Sequence, residues 1–459
     1  MKSLLLKILA GLLLLIAGLV LAVAVVNRKD EAPSAAAQAM KRIVEARESV
    51  ADGDNAYVYI LGFDAPDDSD ALASGHERVE WLRKFMATAG PYQFPNPPGE
   101  RQDLSELRNP EFRQFAAICK RDNRSCLEAM ESDRLRLQAW VQRDAKLIAR
   151  YQGLLAFTQW REVWPNDVRA PVAPLSHVLE AQRLMFIKAW LMASNGDAVA
   201  CKQLLQRDLQ FWRMALAETS SLVFKLVATS AIEQHFALGN LVLRSLPPAA
   251  GISSIPEAWL VPMSVRERSM ATVMANEWAF SERYMTPSAM ASYLEGNDDG
   301  AESGSLVSRL LAKLLLKPQA TVNATAERML SVTQLSERDY PAIPDAAKAL
   351  LASQEFAKKD ITSFRIYNPI GGILVDLVDM KPFVGYGLRI ADLEGGRRLA
   401  LLAAQLRGQN VSLENVSASL SVAGLRDPYD GSAFSWNAKE SSYVFRRTLS
   451  GKPDLKLAF

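Results

Sequence analysis

VLEAQRLMFIKAWLMASNGDAVACKQLLQRDLQFWRMAL, residues 178–216, decides the fold class. On both sides of Asn195-Gly196-Asp197 the apolar residues recur at three- and four-residue spacing, the period of a helix that buries one face. Gly196 suits the left-handed backbone that ends the first helix, and Asp197 suits the N-cap of the second. The stretch therefore reads as two antiparallel helices joined by a tight turn. The same spacing continues in Leu135–Phe157 and Ser221–Leu243, so the class is mainly α, a multi-helix bundle or stacked helical hairpins.

A hairpin of this kind is also the unit of tetratricopeptide arrays, but no second copy follows at their period of about 34 residues, which favours a bundle. Downstream, Pro247, Pro248, Pro256 and Pro262 mark an irregular connector between a first helical half, 30–246, and a second, 264–459, with one continuous domain as the alternative to two. Ser264-Val265-Arg266-Glu267 forms a capping box that should start the helix carrying Trp278. Beyond the polar loop Asn297–Gly300, helices are expected at Leu306–Leu316, too short to span a bilayer, and near Ile390–Leu406. Between them, Tyr367–Gly372 reads as a turn and Ile373–Val378 as an apolar segment. Asp427-Pro428-Tyr429-Asp430-Gly431 is a turn by its proline and glycine chemistry. The alternation in Phe434–Trp436 and Tyr443–Phe445 then predicts a small C-terminal β-hairpin.

Upstream, Gly75–Thr88 is helical in pattern, and prolines at 91, 95, 97 and 98 break it. Tyr57–Leu61 is a short aromatic and β-branched run with strand character, and Asp64, Asp67, Asp68 and Asp70 form a solvated turn. Pro33-Ser34 opens an alanine-rich helix to about Val50, expected to act as a membrane-proximal stalk. Ile8–Val26 is nineteen residues without a charge, longer than the apolar core of a cleaved signal peptide, so residues 1–29 are expected to be a signal anchor crossing the membrane. The alternative is a signal cleaved at Ala22-Val23-Ala24 or within Ala35–Ala39. Flanking charge alone slightly favours the reverse topology, since Arg28, Lys29, Lys41, Arg42 and Arg47 outnumber Lys2 and Lys7. A short basic tail before a single leading apolar segment nevertheless reads as an export signal, which puts the amino terminus inside.

Lys plus Arg is 53 against 51 Asp plus Glu, and with basic pairs scattered, as at Arg397-Arg398, no field implies nucleic acid as a partner. Cys119 and Cys126 flank a polar stretch able to turn, which would let two short helical segments bring the sulfurs together as a disulfide in an oxidising compartment. The alternative is two unpaired small apolar residues. Cys201 reads as a core residue.

Several phrases carry a resemblance: Asn55-Ala56-Tyr57-Val58-Tyr59 with Leu61-Gly62, the pair Cys119 and Cys126 followed by Leu127, Tyr367-Asn368-Pro369-Ile370-Gly371, and Asp427–Gly431 ahead of an aromatic strand. In these the chain resembles a large, loosely defined set of exported proteobacterial proteins, single-pass anchored and mostly helical, with no assigned reaction. The resemblance implies location and architecture; it brings no catalytic residues.

Chemical signatures are sparse. His76, His177 and His235 lie on separate segments, and His76-Glu77 lacks the second histidine of a zincin helix, so no metal site is expected. No nucleophile elbow, P-loop or dinucleotide fingerprint occurs, so no catalytic residue and no cofactor is assigned. Glu277, between Asn276 and Trp278 in an apolar helix, is the one carboxyl expected to meet an unusual environment, with a structural hydrogen bond or exposed helix position as the alternative. The tryptophans read as core anchors. These readings predict a protein of the bacterial inner membrane, single-pass with its bulk in the periplasm, acting without catalysis in binding, scaffolding or protection of the envelope. Its partners would be the membrane and an envelope protein, or a second copy in a weak homodimer. The alternatives are an envelope hydrolase with an unrecognised active site, and a protein that binds a lipid or small apolar solute.

Overall fold

The computed structural model describes residues 2–88, 96–102, 110–164, 167, 169–247, 250–286, 306–359, 366–447 and 450–459, without the side chains of residues 2–6, 9, 306–307 and 354–359. The expected loop at Asn297–Gly300 lies outside these residues, as do Pro91, Pro95 and Pro248. The protein is mainly helical with a small sheet near its end.

In chain order the helices are α1 Lys2–Val26, α2 Ala35–Glu45, α3 Ala56–Leu61, α4 Ala71–Thr88, α5 Pro110–Arg121, α6 Asn123–Ser132, α7 Arg134–Arg143 and α8 Ala145–Leu154. They continue as α9 Leu175–Ser194, α10 Ala198–Glu218, α11 Leu222–Arg244, α12 Glu257–Leu260, α13 Val265–Arg268 and α14 Ala271–Tyr284. The second half holds α15 Leu306–Leu315, α16 Pro318–Glu337, α17 Ile343–Lys359, α18 Pro369–Leu377, α19 Lys381–Gly408 and α20 Val416–Val422. Strands β1 Ser435–Asn437, β2 Ser442–Phe445 and β3 Leu455–Ala458 form one antiparallel sheet in the order β1-β2-β3.

The deciding stretch forms α9 and α10. Gly196 has φ +84°, and the Asp197 side chain accepts from the Ala200 amide at 3.1 Å, so the turn chemistry acts as its residues dictate. Helices α9, α10 and α11 pack on one another, and α11 also packs on α19. One apolar cluster runs from Ala36 to Ala458. Residues of the proline-rich connector belong to that cluster, with Trp259 on α12 fully buried.

Several local expectations give way to tertiary context. Tyr57–Leu61 is helical, not extended: the Asn55 side chain caps α3 at the Tyr57 amide, and burial on nearly every side outweighs β propensity. The expected stalk is α2, docked on α14 and α16 with Ala36, Ala37 and Met40 buried. Leu135–Phe157 divides at Asp144 into α7 and α8. The capping box at Ser264 starts only the single turn α13, and Trp278 lies on the separate α14. Asp64 is buried against Arg78, which donates to it and to the Leu61 carbonyl, so the acidic turn is not uniformly solvated. Ile373–Val378 falls largely within α18. The C-terminal hairpin gains a third strand, β3, placed by two asparagines. Asn123 accepts from the Ala458 amide at 2.9 Å, and Asn240 donates to the Ala458 carbonyl at 3.1 Å.

Helix α1 spans 25 residues, and among the described residues no helix is long and apolar enough to cross a membrane. The membrane-crossing anchor expected at residues 1–29 is thus not supported by the described residues. Its side chains are exposed, Leu14 at 75% and Leu15 at 69%. The exit of α1 is stitched to the body: Asn27 donates to the Ile366 carbonyl at 2.6 Å and accepts from the Asn368 amide at 2.8 Å. Asp30 then caps α16, accepting from the amides of Gln319 at 2.9 Å and Ala320 at 3.0 Å.

Candidate functional site

Asn55 organises the most chemically promising region. Its side-chain oxygen accepts from the amides of Tyr57 at 3.1 Å and Arg161 at 2.9 Å, and its nitrogen donates to the Arg161 carbonyl at 2.8 Å. One buried side chain thus fixes both α3 and the irregular segment Trp160–Trp164. That segment, the start of α11, the end of α2 and one face of α14 enclose a cavity of about 310 Å³, at the lower end of the usual range for small-molecule sites. Tyr57, Trp160 and Phe224 form an aromatic cluster beside it, with ring centroids 5.0–5.8 Å apart. Val172 and Val223 supply an apolar rim.

The charged residues of the wall fall into two sets. Glu162 is saturated: Trp160 Nε1 donates at 3.0 Å, Ser220 through its amide at 3.1 Å and its hydroxyl at 3.0 Å, Arg47 at 3.1 Å, and Thr219 through its hydroxyl. Burial pushes this carboxyl up, but Arg47 and the hydrogen bonds from Thr219 and Trp160 outweigh it and hold the group below the usual carboxylate range. Asp167 pairs with Arg169 at 2.9 Å and with Arg283 at 3.5 Å.

The second set meets nothing of the kind. Glu277 reaches the same wall from α14, and its carboxyl has no hydrogen bond or ion pair among the described residues; burial alone raises its pKa. Arg161 has no carboxylate within ion-pair distance among the described residues, and its guanidinium donates only to the Arg47 carbonyl at 3.3 Å. Burial and then the Arg47 charge lower its pKa. Trp164 Nε1 is buried without an acceptor among the described residues. The hydroxyl of Tyr57, a residue 4% exposed, likewise has no described partner. Arg47, Arg161 and Thr272 also line a second cavity of about 840 Å³, so Arg161 stands where the two spaces adjoin.

A different polar cluster fills the bundle interior. Asp208, fully buried, accepts from Tyr151, from Gln182 Nε2 at 3.1 Å and from His235 Nδ1 at 2.7 Å. Trp259 Nε1 donates to His235 Nε2 at 2.7 Å, which fixes the Nδ1–H tautomer. Trp212 Nε1 donates to the Tyr151 hydroxyl at 2.8 Å. Every group points at another, and none of these residues lines the cavities described above. Lys225 is similarly committed, donating to the carbonyls of Leu216 at 2.6 Å and Glu267 at 2.9 Å; burial brings its amine down to about 7.

The sequence singles out Glu277 and not its partners. Arg161, Glu162 and Trp164 sit in Trp160-Arg161-Glu162-Val163-Trp164-Pro165, where a charged pair lies between two tryptophans outside any helical period, and that was the available signal. Cys119 and Cys126 are joined by a disulfide linking the end of α5 to α6, with Cα atoms 4.4 Å apart. Cys201 is buried and free, its thiol pushed up to about 12 by burial and then by Asp197. The three histidines remain apart: His76 lies 3.7 Å from Asp52 and His177 bonds the Gln102 carbonyl at 2.9 Å. Among the described residues no group of metal-ligating side chains forms. Of the tryptophans, Trp140, Trp190 and Trp212 are buried, whereas Trp81 is half-buried and stacks on Phe85. Comparison with protein-family models, with curated proteins and with solved structures returns no match.

Proposed function

We propose that the protein is a tethered binding protein of the bacterial cell envelope. In this reading α1 crosses the inner membrane, the helical body lies in the periplasm, and the cavity at Arg161 and Glu277 holds a ligand without chemical turnover. The observation that carries the binding role is the convergence on one cavity wall of the Glu277 carboxyl, the Tyr57 hydroxyl and Trp164 Nε1, each without a partner among the described residues, beside Arg161, which meets no carboxylate there. A buried polar group without a partner costs free energy, and a ligand that completes its hydrogen bonds removes that cost. The tether is supported by the uncharged run Ile8–Val26 and by the exposed apolar side chains of α1. A disulfide suits an oxidising compartment, and the resemblance to anchored exported proteobacterial proteins agrees with both.

One observation favours a hydrolase instead: Glu162 and Glu277 line the same cavity with shifts in opposite directions, the pattern of an acid and a base. Saturation argues against it. Both oxygens of Glu162 are occupied by donors, which leaves no lone pair to activate water. A site for a purely apolar solute fits less well, because the wall carries charged groups.

Two measurements test the reading. Alkaline extraction of membranes should leave the chain in the pellet, and protease added to spheroplasts should digest the body. A thermal-shift screen of the full chain in detergent should find small solutes that stabilise it, with Glu277→Gln abolishing the shift. Release of the chain by alkali would remove the tether, and turnover of an ester, amide or glycoside lost in Glu162→Gln would replace binding by hydrolysis.

A further inference from the structure

The geometry points to a small zwitterion bearing an apolar side chain, an amino acid or short peptide, as the occupant of the cavity lined by Arg161 and Glu277. This rests on the binding role proposed above and narrows it to a ligand class. The argument begins with charge. Within the wall, Arg47 is matched by Glu162, and Asp167 by Arg169 and Arg283. Removing these pairs leaves one guanidinium and one carboxyl, Arg161 and Glu277, neither with an ionic partner among the described residues.

A cation and an anion held on one wall and not paired with each other are complementary to a molecule carrying both charges. A guanidinium suits a carboxylate, to which its planar fork can donate twice. A carboxylate accepts from an ammonium group. The neutral groups extend the match: Trp164 Nε1 can only donate, and the Tyr57 hydroxyl can donate or accept, so each can serve a ligand carboxylate or peptide carbonyl. The rest of the wall is apolar, with Phe224 and Leu175 inside and Val172 and Val223 at the rim. That surface would cover a hydrocarbon or aromatic side chain, and burial of apolar area would supply affinity that two charge contacts alone rarely give. The volume of about 310 Å³ limits the occupant to something small. The adjoining larger cavity beyond Arg161 leaves room for a second residue.

The test uses the full chain in detergent micelles and isothermal titration with leucine, phenylalanine, the dipeptide leucyl-leucine, and phenylalanine blocked at one end. N-acetylphenylalanine lacks the ammonium group, and phenylalanine amide lacks the carboxylate. At least one zwitterion should bind, and each blocked form should bind about tenfold or more weakly than phenylalanine. Glu277→Gln should weaken phenylalanine and leave N-acetylphenylalanine unchanged, whereas Arg161→Met should weaken phenylalanine and leave the amide unchanged. Circular dichroism of both variants verifies their folding. Blocked forms that bind as tightly as phenylalanine would overturn the zwitterion, as would absence of saturable binding by all three zwitterions at millimolar concentration. In those cases binding of the amphiphilic anion 1-anilinonaphthalene-8-sulfonate, abolished by Phe224→Trp, would leave the binding role standing. If that probe also fails to bind, the role falls with its ligand.

Discussion

The interior around Asp208 and the wall around Glu277 make an instructive pair. Each places a carboxyl group on a helix of a mainly α body, Asp208 fully buried and Glu277 half-buried. Around Asp208 the donors Tyr151, Gln182 and His235 converge, and Trp212 and Trp259 hold those donors in turn. Around Glu277 no donor arrives among the described residues. A saturated buried carboxylate specifies a fold, because removal of any member strands the rest. An unsaturated one beside a cavity is a group waiting for something from outside, which is why burial by itself is a poor index of function.

The largest effect should come from breaking the saturated region. Asp208→Ala leaves the Tyr151 hydroxyl and His235 Nδ1 without an acceptor, while Gln182 keeps the Ala231 carbonyl, and should lower unfolding free energy by about 3–5 kcal/mol in urea titration. A loss below about 1 kcal/mol would show that the interior network is dispensable. Reduction of the Cys119–Cys126 disulfide tests neither region and sets a scale. Its short loop predicts a loss of about 2–3 kcal/mol, and thiol labelling of the native chain should find both cysteines protected and Cys201 reactive only on unfolding.

Asp392 sharpens the contrast, since it is buried on α19 with Tyr429 donating to Oδ1 at 2.8 Å while Oδ2 has no donor in full hydrogen-bond geometry among the described residues. Burial pushes its carboxyl up to about 6, against the pull of the Ser450 hydroxyl, Tyr429 and Arg447. The folded state therefore holds a proton that the unfolded state has lost between about pH 4 and pH 6, and its contribution to stability falls as pH rises through that window. Asp392→Asn should stabilise the protein at pH 7 by about 1–2 kcal/mol and lose that advantage near pH 4. An advantage independent of pH would assign the gain to something other than ionisation. Glu277→Gln should be nearly silent, within about 0.5 kcal/mol in either direction, because no donor is stranded. A loss comparable to that of Asp208→Ala would place Glu277 in the structural class. The smallest effect concerns α1, where Gly11 and Gly18 have open space around them and Ala10, Ala17 and Ala24 recur every seven residues. Gly18→Leu should weaken self-association of the isolated segment in a membrane reporter, and Leu14→Ile should not; equal signals would leave the segment without a pairing face.

What the sequence reveals and what it conceals follows one physical line. Asn195-Gly196-Asp197 is legible because its backbone demands are local. So are the long amphipathic helices, whose period is their own burial pattern. Tyr57–Leu61 misleads, since its β-branched and aromatic residues are satisfied by a core assembled from remote elements. The helix after Ser34 reads as a stalk for the same reason: nothing within it announces the surface of α14 on which it lies. Strand β3 is four residues long and gains its place from side chains on α6 and α11. At the cavity, Glu277 stands out as an acid among apolar neighbours, whereas Arg161 acquires its position from Asn55, 106 residues earlier. Convergence over such separations leaves no periodic trace.

The seam at Ala458 has a bearing on how the molecule comes into being. Asn123 and Asn240 present their amide groups to a backbone that follows them by 335 and 218 residues. During synthesis both asparagines therefore exist long before their covering strand. Closure over such distances is slow, because the entropy of the loop is lost before the contact rewards it. This closure should be a rate-limiting step of folding, with α6 and α11 among the final elements to become protected from hydrogen exchange. In that interval the nascent chain exposes a hydrophobic surface with an unpaired edge, the kind of species on which chaperones and proteases act.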